Sequence, residues 1–204
     1  RSDKSAKNQQ KLNEAQKVWL DYLETEATEM NRVSNERVAQ LNRELNIAKA
    51  RNASLSETRK IEDEILAERT KAHNKSVGFY GQELDDLEAN RAKLKQLNDM
   101  LVQLNNAKAR GDKKVYIDVD LDGKIDKVKV DEAIEAVQGQ IDNTGRAVDI
   151  AVNLKTEGAD LDAERKIQAA QRANENRNAA KAETDILRKA EDARIALIKN
   201  SFDQ

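Results

Sequence analysis

Residues 118–126 carry the side chains of this chain that are best suited to bind a ligand. They form the segment DVDLDGKID, with carboxylates at its first, third, fifth and ninth positions and a glycine at its sixth. In calcium-binding loops these positions supply oxygen ligands and a sharp turn, and the seventh position supplies a backbone carbonyl. The spacing therefore predicts a Ca²⁺ site. Its expected ligands are Asp118, Asp120, Asp122, Lys124 (through its carbonyl) and Asp126.

The twelfth position of this loop departs from the EF-hand pattern. It is Lys129 instead of the bidentate glutamate. Asp131 or Glu132 would have to supply the missing ligand, or water would fill the place. We therefore expect weak binding, with a Kd of about 10⁻⁴–10⁻³ M, as in extracellular calcium modules.

The same residues also predict a β-hairpin that needs no metal. Asp122-Gly123 suits a two-residue type I′ turn. With that turn, the expected cross-strand pairs are Ile117–Val128, Val115–Val130 and Asp118–Lys127. The segment resembles the Asp-x-Asp-x-Asp-Gly loops between strands in integrin-type propeller repeats, which implies a calcium loop but, with one copy, no propeller. Both interpretations share one backbone, and the sequence leaves open which applies.

Catalytic side chains are not evident elsewhere. The chain has one histidine and no cysteine, which argues against zinc sites, Ser-His-Asp triads and Cys-His pairs. His73 is expected on the surface of a polar helix. The carboxylate pairs Asp85-Asp86 and Glu62/Glu64 are expected on solvated helix faces. We therefore predict that the chain is not an enzyme.

The composition predicts long helices. The 204 residues include no proline, 38% are hydrophobic and 36% are charged, which is typical of coiled coils when Ala and Leu recur at helical spacing. The net charge of −2 argues against nucleic acid as a partner. No apolar run approaches the roughly 20 residues of a membrane span.

Periodicity and glycines predict where the helices begin and end. One helix is expected over about 4–76, with a possible restart near 52–55 because Ser54 and Glu57 match a capping box. Its expected apolar stripe contains Leu12, Ala15, Trp19, Tyr22, Met30 and Val33, followed by Val38, Leu41, Leu45, Ala48, Asn52 and Leu55. Breaks are expected at 76–82, at Gly111 and at 156–162.

These elements predict an all-α fold. We expect an elongated antiparallel coiled coil or kinked helical bundle, with a small β-hairpin at 114–130 at the tip of a helical hairpin formed by 82–157. Residues 1–76 and 160–204 would form a helical stalk. The first segment is too long for the last to cover alone, so the sequence predicts a third stalk helix or self-association.

Five aromatic side chains are candidates for contact with a partner: Trp19, Tyr22, Phe79, Tyr80 and Tyr116. Exposed aromatic clusters often mark protein contacts. Local packing is the alternative, with Trp19 and Tyr22 on one helical stripe and Phe79 and Tyr80 at the break.

Two families resemble parts of the chain. The phrase ANRAKLKQLNDMLVQLNNAKARGD, followed by a small insert and VDEAIEAVQGQIDN, resembles the helical hairpins of type III secretion tip and filament proteins. That resemblance implies a bacterial virulence protein, secreted or on the cell surface, that contacts a host and self-assembles. Residues 163–200 are similar to the rods of colicin-type bacteriocins, which implies a monomeric rod with a receptor-binding tip.

A third class is an intracellular coiled-coil scaffold. A working millimolar calcium site would count against this class, because cytosolic calcium is too low to fill it.

Overall fold

The computed structural model describes the backbone of residues 3–202 and the side chains of residues 6–196. The described chain is mostly helical with one small antiparallel sheet, which confirms the predominantly α prediction. The elements are α1 (Asp3–Ala50), α2 (Leu55–Phe79), α3 (Gly81–Asp85), α4 (Leu87–Ala109), β1 (Lys114–Ile117), β2 (Asp126–Lys129) and α5 (Val130–Phe202).

The chain divides into two compact units, residues 1–158 and 159–204. The first unit contains α1 to α4, both strands and the first part of α5. In the second unit the described backbone is the remainder of α5. Apolar side chains on that remainder, such as Ile167 and Ile186, are exposed.

The single helix expected over 4–76 is wrong, and the alternative, a restart near 52–55, has the predicted capping interaction. α1 ends at Ala50, and the Ser54 hydroxyl accepts a hydrogen bond from the backbone N–H of Glu57 at 3.2 Å. α2 then runs back along α1. The antiparallel contacts include the Ser34 hydroxyl with the Glu68 carbonyl at 3.4 Å and Lys49 with Glu62 at 3.3 Å.

The buried face of α1 differs in part from the predicted stripe. Starting from Ala6, every seventh residue of α1 is buried. This series consists of Ala6, Asn13, Leu20, Ala27, Ser34, Leu41 and Ala48. The predicted stripe is therefore correct at Leu41, Leu45 and Ala48 but wrong in the first half of the helix, where Trp19 and Tyr22 are exposed, and at Leu55, which is exposed in α2. The buried series there includes small and polar residues, so hydrophobicity alone ranks it below the aromatic stripe.

The predicted break near residue 80 and the predicted helix end at Gly111 are both confirmed. α2 ends at Phe79, α3 is a short helix, and α4 begins at Leu87. α4 ends at Ala109, and Gly111 adopts a φ of +84°, a conformation that glycine reaches without steric cost.

The predicted break at 156–162 is wrong, because α5 continues through Gly158. A single glycine costs a helix only about 1 kcal/mol, and here its missing side chain has a packing role. The His73 ring fills that space, with Nε2 2.9 Å from where a Cβ would lie. His73, predicted on the surface, is therefore mostly covered and lies 3.2 Å from the Glu157 carboxylate.

The principal core joins both strands to three helices. Val128 of β2 and Val119 of the loop pack with Leu97 and Leu104 of α4. Ala6 of α1 and three buried residues of α5, Ala133, Ala136 and Val137, complete this cluster. The hairpin thus has one face in the core of the first unit.

A polar layer joins α1 to α5. Asn13 donates through Nδ2 to the Ala136 carbonyl at 2.9 Å, and Asn143 donates to the Asn13 carbonyl at 2.7 Å. One helical turn further along α5, Arg146 binds Glu24 and Asp21, each with a shortest contact of 2.6 Å. These hydrogen bonds fix the register of α1 on α5.

We predict that Gly139→Ala lowers the free energy of unfolding by about 1–3 kcal/mol. The added Cβ would lie 2.7 Å from Nδ2 of Asn13 and push the amide off its carbonyl partner. Urea unfolding followed by circular dichroism measures the change.

Gly145→Ala is the matched control on the same helix. No atom lies within 4 Å of the added Cβ, so this change should raise the free energy of unfolding by up to about 1 kcal/mol through helix propensity. Equal effects of the two substitutions would contradict a close α1–α5 approach at Gly139.

Candidate functional site

The strand register of the hairpin differs from the predicted one. The observed pairs are Lys114–Lys129, Val115–Val128, Tyr116–Lys127 and Ile117–Asp126. The predicted pairs Ile117–Val128, Val115–Val130 and Asp118–Lys127 are therefore wrong by two residues. The strands are joined by the loop 118–125 and not by a two-residue turn. Because side chains alternate with period two, this shift keeps the valines on the predicted inner face.

The Asp118 side chain organises the loop. Its carboxylate accepts hydrogen bonds from the backbone N–H groups of Asp122 at 3.1 Å and Gly123 at 2.8 Å. Leu121 and Gly123 have φ values of +55° and +86°, so the chain curls tightly around this carboxylate. An aspartate satisfies these N–H groups inside the loop, which is the local reason for its position before the turn.

Val119 and Gln140 anchor the loop to the core. The Val119 side chain is buried, and its carbonyl accepts a hydrogen bond from Nε2 of Gln140 at 2.7 Å. Sequence reasoning missed Gln140. The sequence feature that could have identified it is its position between Val137 and Ile141 on the core face of α5. A buried amide there requires a hydrogen-bond partner.

Lys124 supplies a positive charge to the loop. Its ammonium lies 2.9 Å from one Asp122 oxygen, and its backbone N–H donates to the other at 2.8 Å. The side-chain hydrogen bond from Lys124, followed by its backbone hydrogen bond, lowers the pKa of Asp122. The same bond raises the pKa of Lys124, and Asp126 and Asp118 add smaller electrostatic contributions.

The six predicted metal ligands lie in different local environments. Asp118 and Asp122 accept hydrogen bonds within the loop, and Asp126 begins β2. Asp120 is partly buried in the loop. Asp131 lies in the first turn of α5 and pairs with Lys108 at 2.8 Å.

Glu132, the other substitute for the twelfth ligand, binds Lys129 at 2.8 Å. Among the side chains that the structure describes, no three acidic or histidine groups are gathered closely enough to hold a metal ion. A cation shared by the loop carboxylates would displace the Lys124 ammonium from Asp122.

The outer face of the hairpin is basic and aromatic. Lys114, Tyr116, Lys127 and Lys129 point away from the core. Tyr116 is 72% exposed, and the Lys127 ammonium lies 5.3 Å from its ring centre, within reach of a cation–π interaction. Lys114 lies directly opposite Lys129, whose ammonium is paired with Glu132 at 2.8 Å.

The other four aromatic candidates differ in exposure. Trp19 and Tyr22 are both more than half exposed and stack with ring centres 5.8 Å apart. Phe79 is 42% exposed. Tyr80 packs with Leu23 and Leu154, and burial raises the pKa of its hydroxyl. Tyr80 therefore serves the core and does not offer a surface to a partner.

Comparisons with protein-family models, curated proteins and solved structures found no match to this chain. Within residues 3–202, no helix combines the length and the apolar character that crossing a membrane would require.

We predict that Lys124→Ala raises the pKa of Asp122 toward its ordinary value, because the variant loses the hydrogen bond that contributes most to the shift. A carboxylate with a lowered folded pKa contributes stability above its unfolded pKa of about 4, and this contribution is lost as the pH falls through the folded value. The variant should therefore lose less stability than the wild type in that acidic range. A ¹³C NMR titration of the Asp122 carboxyl measures the pKa.

Lys127→Ala is the control, since the Lys127 ammonium lies over Tyr116 instead. It should leave the Asp122 titration unchanged. An unchanged Asp122 pKa in Lys124→Ala would show that the Lys124 side chain does not bind Asp122 in solution.

Proposed function

We propose that this chain is a non-catalytic protein that contacts a protein partner or cell-surface receptor through the outer face of the β1–β2 hairpin. The observation that carries this proposal is the exposure of Tyr116 beside Lys127 on a hairpin whose opposite face is buried. Tyrosine is among the residues that contribute most to protein interfaces.

The hairpin is suited to recognition because its inner face is packed into the core. Val128 is fully buried, and Gln140 holds the adjoining loop. A partner that covers Tyr116 would therefore order few additional groups, so less binding energy would be lost to conformational entropy.

We further propose that α4 and the first part of α5 form an antiparallel coiled-coil hairpin that presents this surface, in the manner of a type III secretion tip or filament protein. The chain would then act in a bacterial secreted or surface assembly. Support comes from the buried α4 residues Leu87, Leu97 and Leu104, whose spacing of ten and seven residues fits the a and d positions of a heptad.

A receptor-binding rod of a colicin-type bacteriocin is the second candidate. The observation that favours it is the continuity of α5 through Gly158, because an uninterrupted helix suits a rod. A filament protein would self-associate, whereas a rod would remain monomeric, so the oligomeric state distinguishes the two.

We also propose that the loop 118–126 binds Ca²⁺ weakly, through carboxylates that the Lys124 ammonium partly neutralises in its absence. Asp118 already holds the N–H groups of Asp122 and Gly123, so the loop backbone is curved before any ion arrives. The intracellular scaffold is the least favoured function if this site is filled.

For calcium binding, we predict a higher midpoint of thermal unfolding in about 5 mM CaCl₂ than in EDTA. A Kd of about 10⁻³ M would give about 1 kcal/mol of stabilisation, which corresponds to about 2–4 °C for a chain of this size. Asp120→Ala should abolish the shift and the exposed Asp99→Ala should retain it. Superimposable melts, or an equal shift with Mg²⁺, would contradict a calcium site.

For partner contact, we predict that Tyr116→Ala reduces saturable binding of the fluorescently labelled protein to intact cells by about tenfold, a change of about 1.4 kcal/mol. Flow cytometry measures this binding on epithelial and on bacterial cells. Binding to epithelial cells would favour the type III secretion-like protein, and binding to bacterial cells would favour the bacteriocin rod. Val102→Ala is the control, because Val102 is a comparably exposed apolar residue on α4. Equal binding by Tyr116→Ala and wild type would exclude the hairpin face as the contact.

A further inference from the structure

A second apolar stripe runs along α1 on a face that does not pack within the first unit. It consists of Leu12, Ala15, Trp19 and Tyr22, all exposed, with Leu12 at 62%, Trp19 at 54% and Tyr22 at 53%. Their spacing of three, four and three residues matches the a and d positions of a coiled coil. The buried series through Asn13 and Leu20 lies about 100° around the helix from this stripe.

We propose that this α1 stripe is an interface between two copies of the chain, packed antiparallel about a two-fold axis near Lys17 and Val18. The interface is separate from the hairpin face, and a dimer would favour the self-associating filament protein over the monomeric bacteriocin rod. A two-fold contact uses the same residues on both copies, so the stripe must be complementary to itself.

The side-chain sizes are complementary in the antiparallel arrangement. An a position of one helix then meets a d position of the other. Leu12 would pack against Tyr22 of the second copy, and Ala15 against Trp19 of the second copy. The small alanine leaves room for the indole ring, whereas a parallel pairing would place Trp19 against itself and leave space between the alanines.

The charges along α1 favour the same direction. Lys7 and Lys11 precede Leu12, at the end of the stripe that lies away from the proposed axis. Glu26 and Glu29 follow Tyr22, and Glu29 also binds Arg32 on the same helix at 2.6 Å. Antiparallel packing brings the basic end of one helix beside the acidic end of the other, and parallel packing would bring like charges together.

The size of the contact predicts a weak dimer. Residues 12–22 span about 15 Å of helix, and each aromatic side chain can bury about 150–250 Å² at most. Such an area is at the lower end for specific association, where a Kd of about 1–100 µM is common.

Sedimentation velocity of the full chain from about 1 to 300 µM covers this range. Trp19 is the sole tryptophan of the chain, so its emission should shift to shorter wavelength as the dimer forms. Ala15→Glu should give a monomer at every concentration. Ala39→Glu, also at an exposed alanine of α1, should dimerise like the wild type.

Cysteine cross-linking tests the orientation in a chain that has no cysteine of its own. Val18→Cys lies near the proposed axis and should form a disulfide-linked dimer on mild oxidation. Glu29→Cys should not, because its two copies would be about 36 Å apart along the helices.

Three results would overturn the proposal. A wild-type chain that is monomeric up to the highest concentration would exclude the dimer. Equal cross-linking of both cysteine variants would exclude the antiparallel arrangement. Emission from Trp19 that is already at short wavelength in the monomer would show that another part of the same chain covers the stripe. None of these results bears on Tyr116, so the cell-binding experiment tests the hairpin contact independently.

Discussion

The close approach of α1 to α5 at Gly139 is the contact on which much of the first unit depends. Asn13 occupies the space that a side chain at 139 would fill and bonds to the Ala136 carbonyl. Two helical turns before Asn13, Ala6 enters the core beneath the hairpin. Because a helix turns as a rigid body, fixing Asn13 also fixes which face of α1 remains exposed. The stripe with Trp19 and Tyr22 is exposed because the hydrogen bonds of Asn13 turn another face of α1 toward α5.

The hairpin loop achieves its shape through its own side chains. Asp118 binds two backbone N–H groups, Asp122 binds a third, and Lys124 offsets part of the negative charge. An ion that binds here must compete with Lys124 for Asp122. Because the loop backbone is already curved without the ion, ion binding would change the backbone conformation little. Calcium would therefore act mainly on the charge of the loop and much less on the fold of the hairpin, whose valines are held by the core.

Sequence reasoning predicted the features that depend on local chemistry. The cap at Ser54, the end of α4 before Gly111 and the hairpin between α4 and α5 all follow from residue type and spacing. Sequence reasoning was wrong where contacts between distant residues determine the local structure. Gly158 was expected to end a helix, but the His73 ring needs the space it leaves. The strand register was wrong by two residues because turn rules assumed a two-residue turn, whereas the observed loop is longer and is bonded through Val119 to Gln140, 21 residues away.

The two stripes of α1 show why periodicity alone could not decide which face is buried. Both repeat every seven residues, and the exposed one has the larger apolar side chains. Burial follows complementarity instead: small residues such as Ala6 and Asn13 allow α5 to approach closely, whereas Trp19 would hold it away. A helix with small residues on one face and large ones on another can pack tightly within its own chain and still offer a broad apolar surface to a second chain. This division is the physical basis for assigning the first face to the fold and the second to association.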